Sequence, residues 1–159
     1  MAKKIKTNSM RILDKLNIEY KLSSYDVNDG KIDGISVAKK ISRDNNQVFK
    51  TLVTEGKDKH YYVFLIPVHK ELDLKKCARI TGEKKIEMIA VKDIQKITGY
   101  IRGGCSPIGM KKNFDTYIDM EADKHEEIVF SAGKIGTQLI VKVLDLCNQL
   151  NYKLEDLVK

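Results

Sequence analysis

The chain offers few groups able to do chemistry, and most of them lack the spacing that chemistry needs. His60, His69 and His125 have none of the short helical separations that turn two imidazoles toward one metal ion. Cys77, Cys105 and Cys147 are odd in number, far apart and without a Cys-x-x-Cys pair. Neither a disulfide framework nor a zinc site is expected from them, and a reducing cytoplasm suits them best. Gly99-x-x-x-x-Gly104 opens like a phosphate-binding loop, but Cys105 and Ser106 stand where Lys and Ser/Thr would hold phosphate and magnesium. Ser106 precedes Pro107 and lacks the Gly-x-Ser-x-Gly elbow, which argues against a serine hydrolase.

Two features survive that screen. The segment from Gly99 to Lys112 contains Arg102, Lys111, Lys112 and the pair Gly103-Gly104, with no acidic residue. Glycines let backbone N–H groups approach an anion or a carbonyl oxygen, because no Cβ intervenes, and an oxyanion site can arise that way. A tight structural loop is the plainer alternative, since Gly and Pro punctuate turns generally. The second feature is Lys50 inside Val48-Phe49-Lys50-Thr51-Leu52-Val53, where a period of two puts it on the face of Val48 and Leu52. Its stem could cover apolar surface from an edge strand, or its ammonium could be fixed by a rigid strand beside a negatively charged substrate. Cys105 has no histidine near it in sequence, and an unactivated thiol is mostly protonated at neutral pH, so it reads as loop filler. Lys111-Lys112 is either solvated surface charge or a phosphate-binding pair.

The elements that must position these groups read as alternating helices and strands. Asn8 or Ser9 is expected to cap a first helix through Ile12, Leu13 and Leu16, with a strand at Ile18, Tyr20 and Leu22. Ser24 to Gly34 reads as a loop and Ser36 as the cap of a second helix. Val48 to Glu55 and His60 to Ile66 form a hairpin across Gly56-Lys57-Asp58-Lys59. Asp73 caps a helix that stops at Gly82, Ile86 to Val91 reads as a strand, and a short helix at Ile94 and Ile97 stops at Gly99. Strands at Asp115 to Ile118, Ile128 to Phe130 and Thr137 to Val141 precede a last helix with Val143, Cys147 and Leu150. Without a regular βαβ rhythm, the expectation is a single α/β domain over 1–159: a mixed, mainly antiparallel sheet or partial barrel with helices packed on it.

Composition agrees with one globular unit. At 159 residues and 42% hydrophobic, the chain can bury a core of its own. Its formal charge of +7 favours polyanionic partners, nucleic acid among them. No apolar run approaches the roughly 20 residues of a membrane helix, and no apolar stretch follows the basic N-terminus as in a secretory signal. A cytoplasmic protein is expected.

Gln47-Val48-Phe49-Lys50-Thr51-Leu52, Leu72-Asp73-Leu74-Lys75-Lys76, Lys84-Lys85-Ile86-Glu87-Met88 and Thr98-Gly99-Tyr100 through Lys112 resemble, in order and spacing, blocks of the YbaK/EbsC family. These are small free-standing relatives of the editing domain inserted in bacterial prolyl-tRNA synthetases. The likeness runs from about Tyr25 to Ser131. It implies a trans-editing aminoacyl-tRNA deacylase that hydrolyses mischarged Cys-tRNA(Pro), with the substrate's own thiol as nucleophile and neither metal nor cofactor. It implies mischarged tRNA(Pro) as partner, and prolyl-tRNA synthetase as a possible second one. By the same likeness Lys50 is catalytic, Tyr25, Thr51 and Tyr100 line the pocket, Gly103, Gly104 and Ser106 form the substrate loop, and Ser131 faces it. The family often has an aspartate seven residues after that serine; Gln138 stands there instead. The alternatives are a water-using deacylase for tRNA carrying alanine or serine, and a non-catalytic tRNA-binding regulatory module.

Overall fold

Runs of β-branched and aromatic residues build two sheets, and the apolar faces of short helices close over them. The computed structural model describes residues 6–159. α1 (Asn8–Lys15) leads into β1 (Tyr20–Ser24), and α2 (Gly34–Lys40) into the hairpin of β2 (Phe49–Glu55) and β3 (Tyr61–Pro67). α3 (Leu74–Thr81), β4 (Glu87–Met88) and α4 (Ile94–Thr98) follow. The chain then runs through β5 (Asp115–Asp119), β6 (Glu127–Ser131), β7 (Thr137–Lys142), α5 (Val143–Gln149) and β8 (Lys153–Glu155).

β1, β7 and β6 make a three-stranded antiparallel sheet; β4, β2, β3, β5 and β8 make a five-stranded mixed sheet. In the latter β2 pairs antiparallel with β3 and β4, while β5 is parallel to both β3 and β8. A parallel bridge between Val48 and Val129 joins the sheets. One core lies between the sheets, where Phe49 of β2 meets Phe130 and Leu139 of β6 and β7 and packs with α1 and α5, and a second lies on the five-stranded sheet, where Phe64, Ile66 and Tyr117 pack with Cys77 and Ala78 of α3. A third cluster of Val48, Val68, Val129 and Ile140 with Ala38 seats α2 on the seam. Burying side chains of this size is worth about 1.5–3 kcal/mol each, so α2 is fixed at the seam by its apolar face rather than by helix propensity.

The caps differ from the expected ones in two places. Thr7, not Asn8 or Ser9, caps α1 by accepting the Met10 N–H, while the Ser9 hydroxyl is buried and spent on the Ala132 carbonyl. Asp33 caps α2, accepting the Ser36 N–H at 3.1 Å and the Ser36 hydroxyl at 2.6 Å; a carboxylate outcompetes a hydroxyl for those orphan donors. The strand expected over Ile86 to Val91 shrinks to Glu87–Met88, and Val91–Asp93 turns as a 3₁₀-helix instead. β8 is an addition that no sequence pattern announces. Asp73 and Gly82 do bracket α3, with Gly82 in the left-handed conformation at φ 78°.

Candidate active site

Where β2 leaves the seam, a cavity of about 610 Å³ opens between the two sheets, the start of α2 and the glycine loop. Lys50 and Thr51 come from β2, and Ser131 and Gln138 come from directly paired positions at the ends of β6 and β7. Tyr25 enters from the loop after β1, and Gly103 and Cys105 from the loop that precedes β5.

Lys50 is half-buried, and its Nζ has no hydrogen bond or ion pair among the described residues. Burial holds its pKa below the ordinary 10.5, with the Glu71 carboxylate pulling the other way. A second lysine is used differently. Lys40 Nζ donates to the carbonyls of Asp26 and Lys31 at 2.6 and 2.8 Å and to the Asp29 carboxylate at 2.8 Å. It also lies 5.9 Å from the centre of the Tyr25 ring. Lys40 therefore ties the 26–31 loop to α2 and steadies the wall that carries Tyr25, whose own N–H donates to the Gly136 carbonyl at 3.0 Å. Lys50 is left available for a ligand. Thr51 belongs to the same wall, its hydroxyl buried and without a partner among the described residues.

Of the residues singled out in the sequence, Tyr25, Lys50, Thr51, Gly103 and Ser131 meet at the cavity. Tyr100, Gly104 and Ser106 do not line it. Tyr100 is buried beneath the loop with its hydroxyl donating to the Ile108 carbonyl. Ser106 is fully buried and its Oγ accepts the Ile108 N–H at 3.4 Å. Gly104 is a glycine because a Cβ would stand 3.0 Å from the Ile135 nitrogen, so its missing side chain admits the neighbouring backbone rather than a ligand. These three shape the loop from below. The cavity also recruits Asp33 and Val37, which carried no sequence signal as site residues and are brought there only by the topology, and Arg102, one of the basic residues of the glycine segment. Gln138, noted as a departure from the family pattern, is buried and opens on the cavity across from Ser131.

No thiol here is poised to attack. Cys105 donates weakly to the Thr98 hydroxyl at 3.9 Å, and burial pushes its pKa up to about 11. Among the described residues no cluster of His, Cys, Asp and Glu could hold a metal ion. What the arrangement can do is fix a polar, negatively charged or polarised group against Lys50 while the loop and strand ends surround the rest of it.

The fold is thus a small α/β domain of two sheets with a cavity between them, and into its wall comes a lysine that has no partner among the described residues. Residues 33–148 match the family described as the aminoacyl-tRNA editing domain, and the chain belongs to that family. It is 46% identical over 142 residues to EbsC of Enterococcus faecalis, described as a candidate Cys-tRNA(Pro)/Cys-tRNA(Cys) deacylase, with 87% of each chain covered. Two solved structures share the fold. One, described as a candidate trans-editing enzyme for prolyl tRNA synthetase, aligns with a TM-score of 0.85 at 19% identity over 98% of this chain and 99% of its own. The other, a hypothetical protein, aligns at 0.88 and 15% identity over 96% and 100%. No helix among the described residues is long and apolar enough to cross a membrane.

Proposed function

We propose that this protein is a trans-editing aminoacyl-tRNA deacylase that clears Cys-tRNA(Pro), acting in the cytoplasm as one domain over 1–159. The observation that carries the reading is the Lys50 ammonium, held in the cavity wall without a partner among the described residues, in a site whose one cysteine is kept protonated. Such a site stabilises charge and lacks an attacking group of its own. In this reading the attacking group arrives with the substrate.

The cysteinyl sulfur attacks its own ester carbonyl carbon, forming a C–S bond. The C–O bond to the terminal ribose breaks, the electron pair leaves on the ribose oxygen, and the thiol's proton ends there. The products are free tRNA and a four-membered thiolactone that water later opens. Lys50 holds the carbonyl oxygen or the adjacent phosphate, Ser131 offers a hydroxyl, and Thr51, Tyr25, Gly103 and the loop above Tyr100, Gly104 and Ser106 confine the aminoacyl end. Confinement matters because an intramolecular attack gains its rate from a restricted geometry. The partner is mischarged tRNA(Pro), with prolyl-tRNA synthetase as a second partner that presents it. The test is deacylation of labelled Cys-tRNA(Pro) with and without that synthetase. Turnover above the spontaneous rate supports the reading, and none in either arm overturns it.

A further inference from the structure

Below the glycine loop lies a second concavity of about 470 Å³ that the cavity chemistry does not use. Its rim carries Lys59 from the turn between β2 and β3, Lys96 from α4, and Lys111 and Lys112 from the segment before β5. Its wall includes Tyr61 and Phe114, packed edge to face with ring centres 5.6 Å apart. All four lysines are exposed. The single lining acid, Asp115, already faces His60 at 3.4 Å.

Lysines without an ion pair among the described residues are common on this surface, as at Lys21, Lys31 and Lys84, so the informative part is that four of them converge on one concavity lined by a single acid. Lys40, Lys76, Lys85, Lys124, Lys142 and Lys159 each meet a carboxylate within 4 Å. None of Lys59, Lys96, Lys111 and Lys112 does so among the described residues; Lys111 Nζ donates only to the Lys96 carbonyl at 3.1 Å. Four like charges drawn from three separate parts of the chain repel one another and offset nothing nearby. A polyanion in the groove would relieve that repulsion, and partly exposed aromatic edges beside it suit ribose and base. The groove is also coupled to the cavity through Thr98. The Thr98 carbonyl accepts the Lys111 N–H at 3.0 Å, and its hydroxyl accepts from Cys105, which lines the cavity.

We infer that this groove binds the sugar-phosphate backbone of the tRNA whose aminoacyl end occupies the cavity, so that one RNA spans both concavities. The inference rests on the proposed deacylase reading for the identity of the RNA and adds to it the surface that grips the stem.

The experiment compares wild type, Lys59→Gln/Lys96→Gln and a control, Lys124→Gln/Lys142→Gln, that removes the same charge outside the groove. Each is titrated with uncharged tRNA(Pro) between 50 and 200 mM salt, and each is assayed on Cys-tRNA(Pro) and on cysteinyl adenosine, which has no stem. Every phosphate that goes unneutralised should lower the log–log salt slope by roughly 0.7–0.9. With two lysines removed, the groove variant is expected to show a slope lower by about 1.5 and to bind tRNA at least tenfold more weakly, while cleaving cysteinyl adenosine at the wild-type rate. Binding and slope equal to the control overturn the groove. Loss of cleavage on both substrates with binding intact does so as well, because it would place the lysines in the chemistry. Failure of wild type to deacylate either substrate, with tRNA binding still dependent on Lys59 and Lys96, would leave the groove standing and remove the deacylase reading instead.

Discussion

The Tyr100 hydroxyl donates to the Ile108 carbonyl across 2.6 Å, closing the glycine loop from underneath. The ring also fills the space beside Gly133, where a Cβ would come within 2.7 Å of it and where φ is 99°. Tyr100 thus anchors both the loop that carries Gly103 and the turn between β6 and β7. Tyr100→Phe keeps the ring and strands a buried carbonyl, at a cost of about 1–3 kcal/mol. Thermal denaturation should show that loss, with KM rising more than kcat falls. An unchanged midpoint together with a tenfold loss of kcat would put the hydroxyl in the chemistry instead.

Lys50→Ala should leave the fold intact and lower deacylation by at least tenfold, because a charge-assisted hydrogen bond in a partly dry site is worth about 1.5–3 kcal/mol. Circular dichroism and single-turnover rates check both halves. Full activity in the folded variant would reduce Lys50 to a side chain that covers apolar surface.

The same lysine sets the high-pH limb of activity. Its ammonium form is the useful one and its pKa is depressed by burial, so activity should fall as pH rises through a value below 10.5. The low-pH limb belongs to the substrate thiol, which ionises near about 8.5. In Lys50→Arg the residual activity should lose the descending limb, since guanidinium stays charged; a descending limb at the same pH in that variant would assign it to another group.

Cys105→Ala should retain most activity. A thiol with its pKa pushed to about 11 is almost wholly protonated at neutral pH and is a poor nucleophile. Inactivation by this change, with an aminoacyl adduct trapped on wild-type Cys105, would reverse the assignment.

Cys-tRNA(Pro) should be cleaved far faster than Ser-tRNA(Pro). A pocket alone separates such near-isosteres by only about 10²-fold, whereas replacing sulfur removes the reacting group itself. Parallel single-turnover assays with capture of the released thiolactone decide it. Comparable rates, or alanyl-tRNA cleaved equally fast, would move the chemistry to water.

The parts of this molecule legible in its sequence are those governed by local chemistry. Asp73 and Gly82 frame α3 because a carboxylate cap and a left-handed glycine act within one turn. The hairpin of β2 and β3 is legible from its β-branched and aromatic runs. β8 is not, since Lys153-Leu154-Glu155 carries no pattern of its own and is a strand only because β5 lies beside it. The site divides the same way. Lys50 stands out as a cation in an apolar run, but Lys40 reads as an ordinary helix-end lysine until the fold brings the 26–31 loop to it. Gly104 looks like part of an anion cradle until the backbone of residues 134–135 is found against it.

The seam between the sheets also sets how the cavity can breathe. The Gln47 carbonyl accepts the Val129 N–H at 3.0 Å and the Val48 carbonyl accepts the Val68 N–H at 2.9 Å, so the segment leading to Lys50 is clamped from both sides. The Val129 amide can exchange with deuterium only when the two sheets part and the Val68 amide only when the β2–β3 hairpin opens, so the protection of both should approach that of global unfolding. The amides of Asn28, Gly30 and Lys31 are held by short turns, while Lys40 grips the loop only through its carbonyls and the Asp29 carboxylate, so these amides should exchange through local openings. One wall of the cavity is then as durable as the whole protein and the opposite wall yields, which makes the Tyr25 side the door and the Lys50 side the anvil.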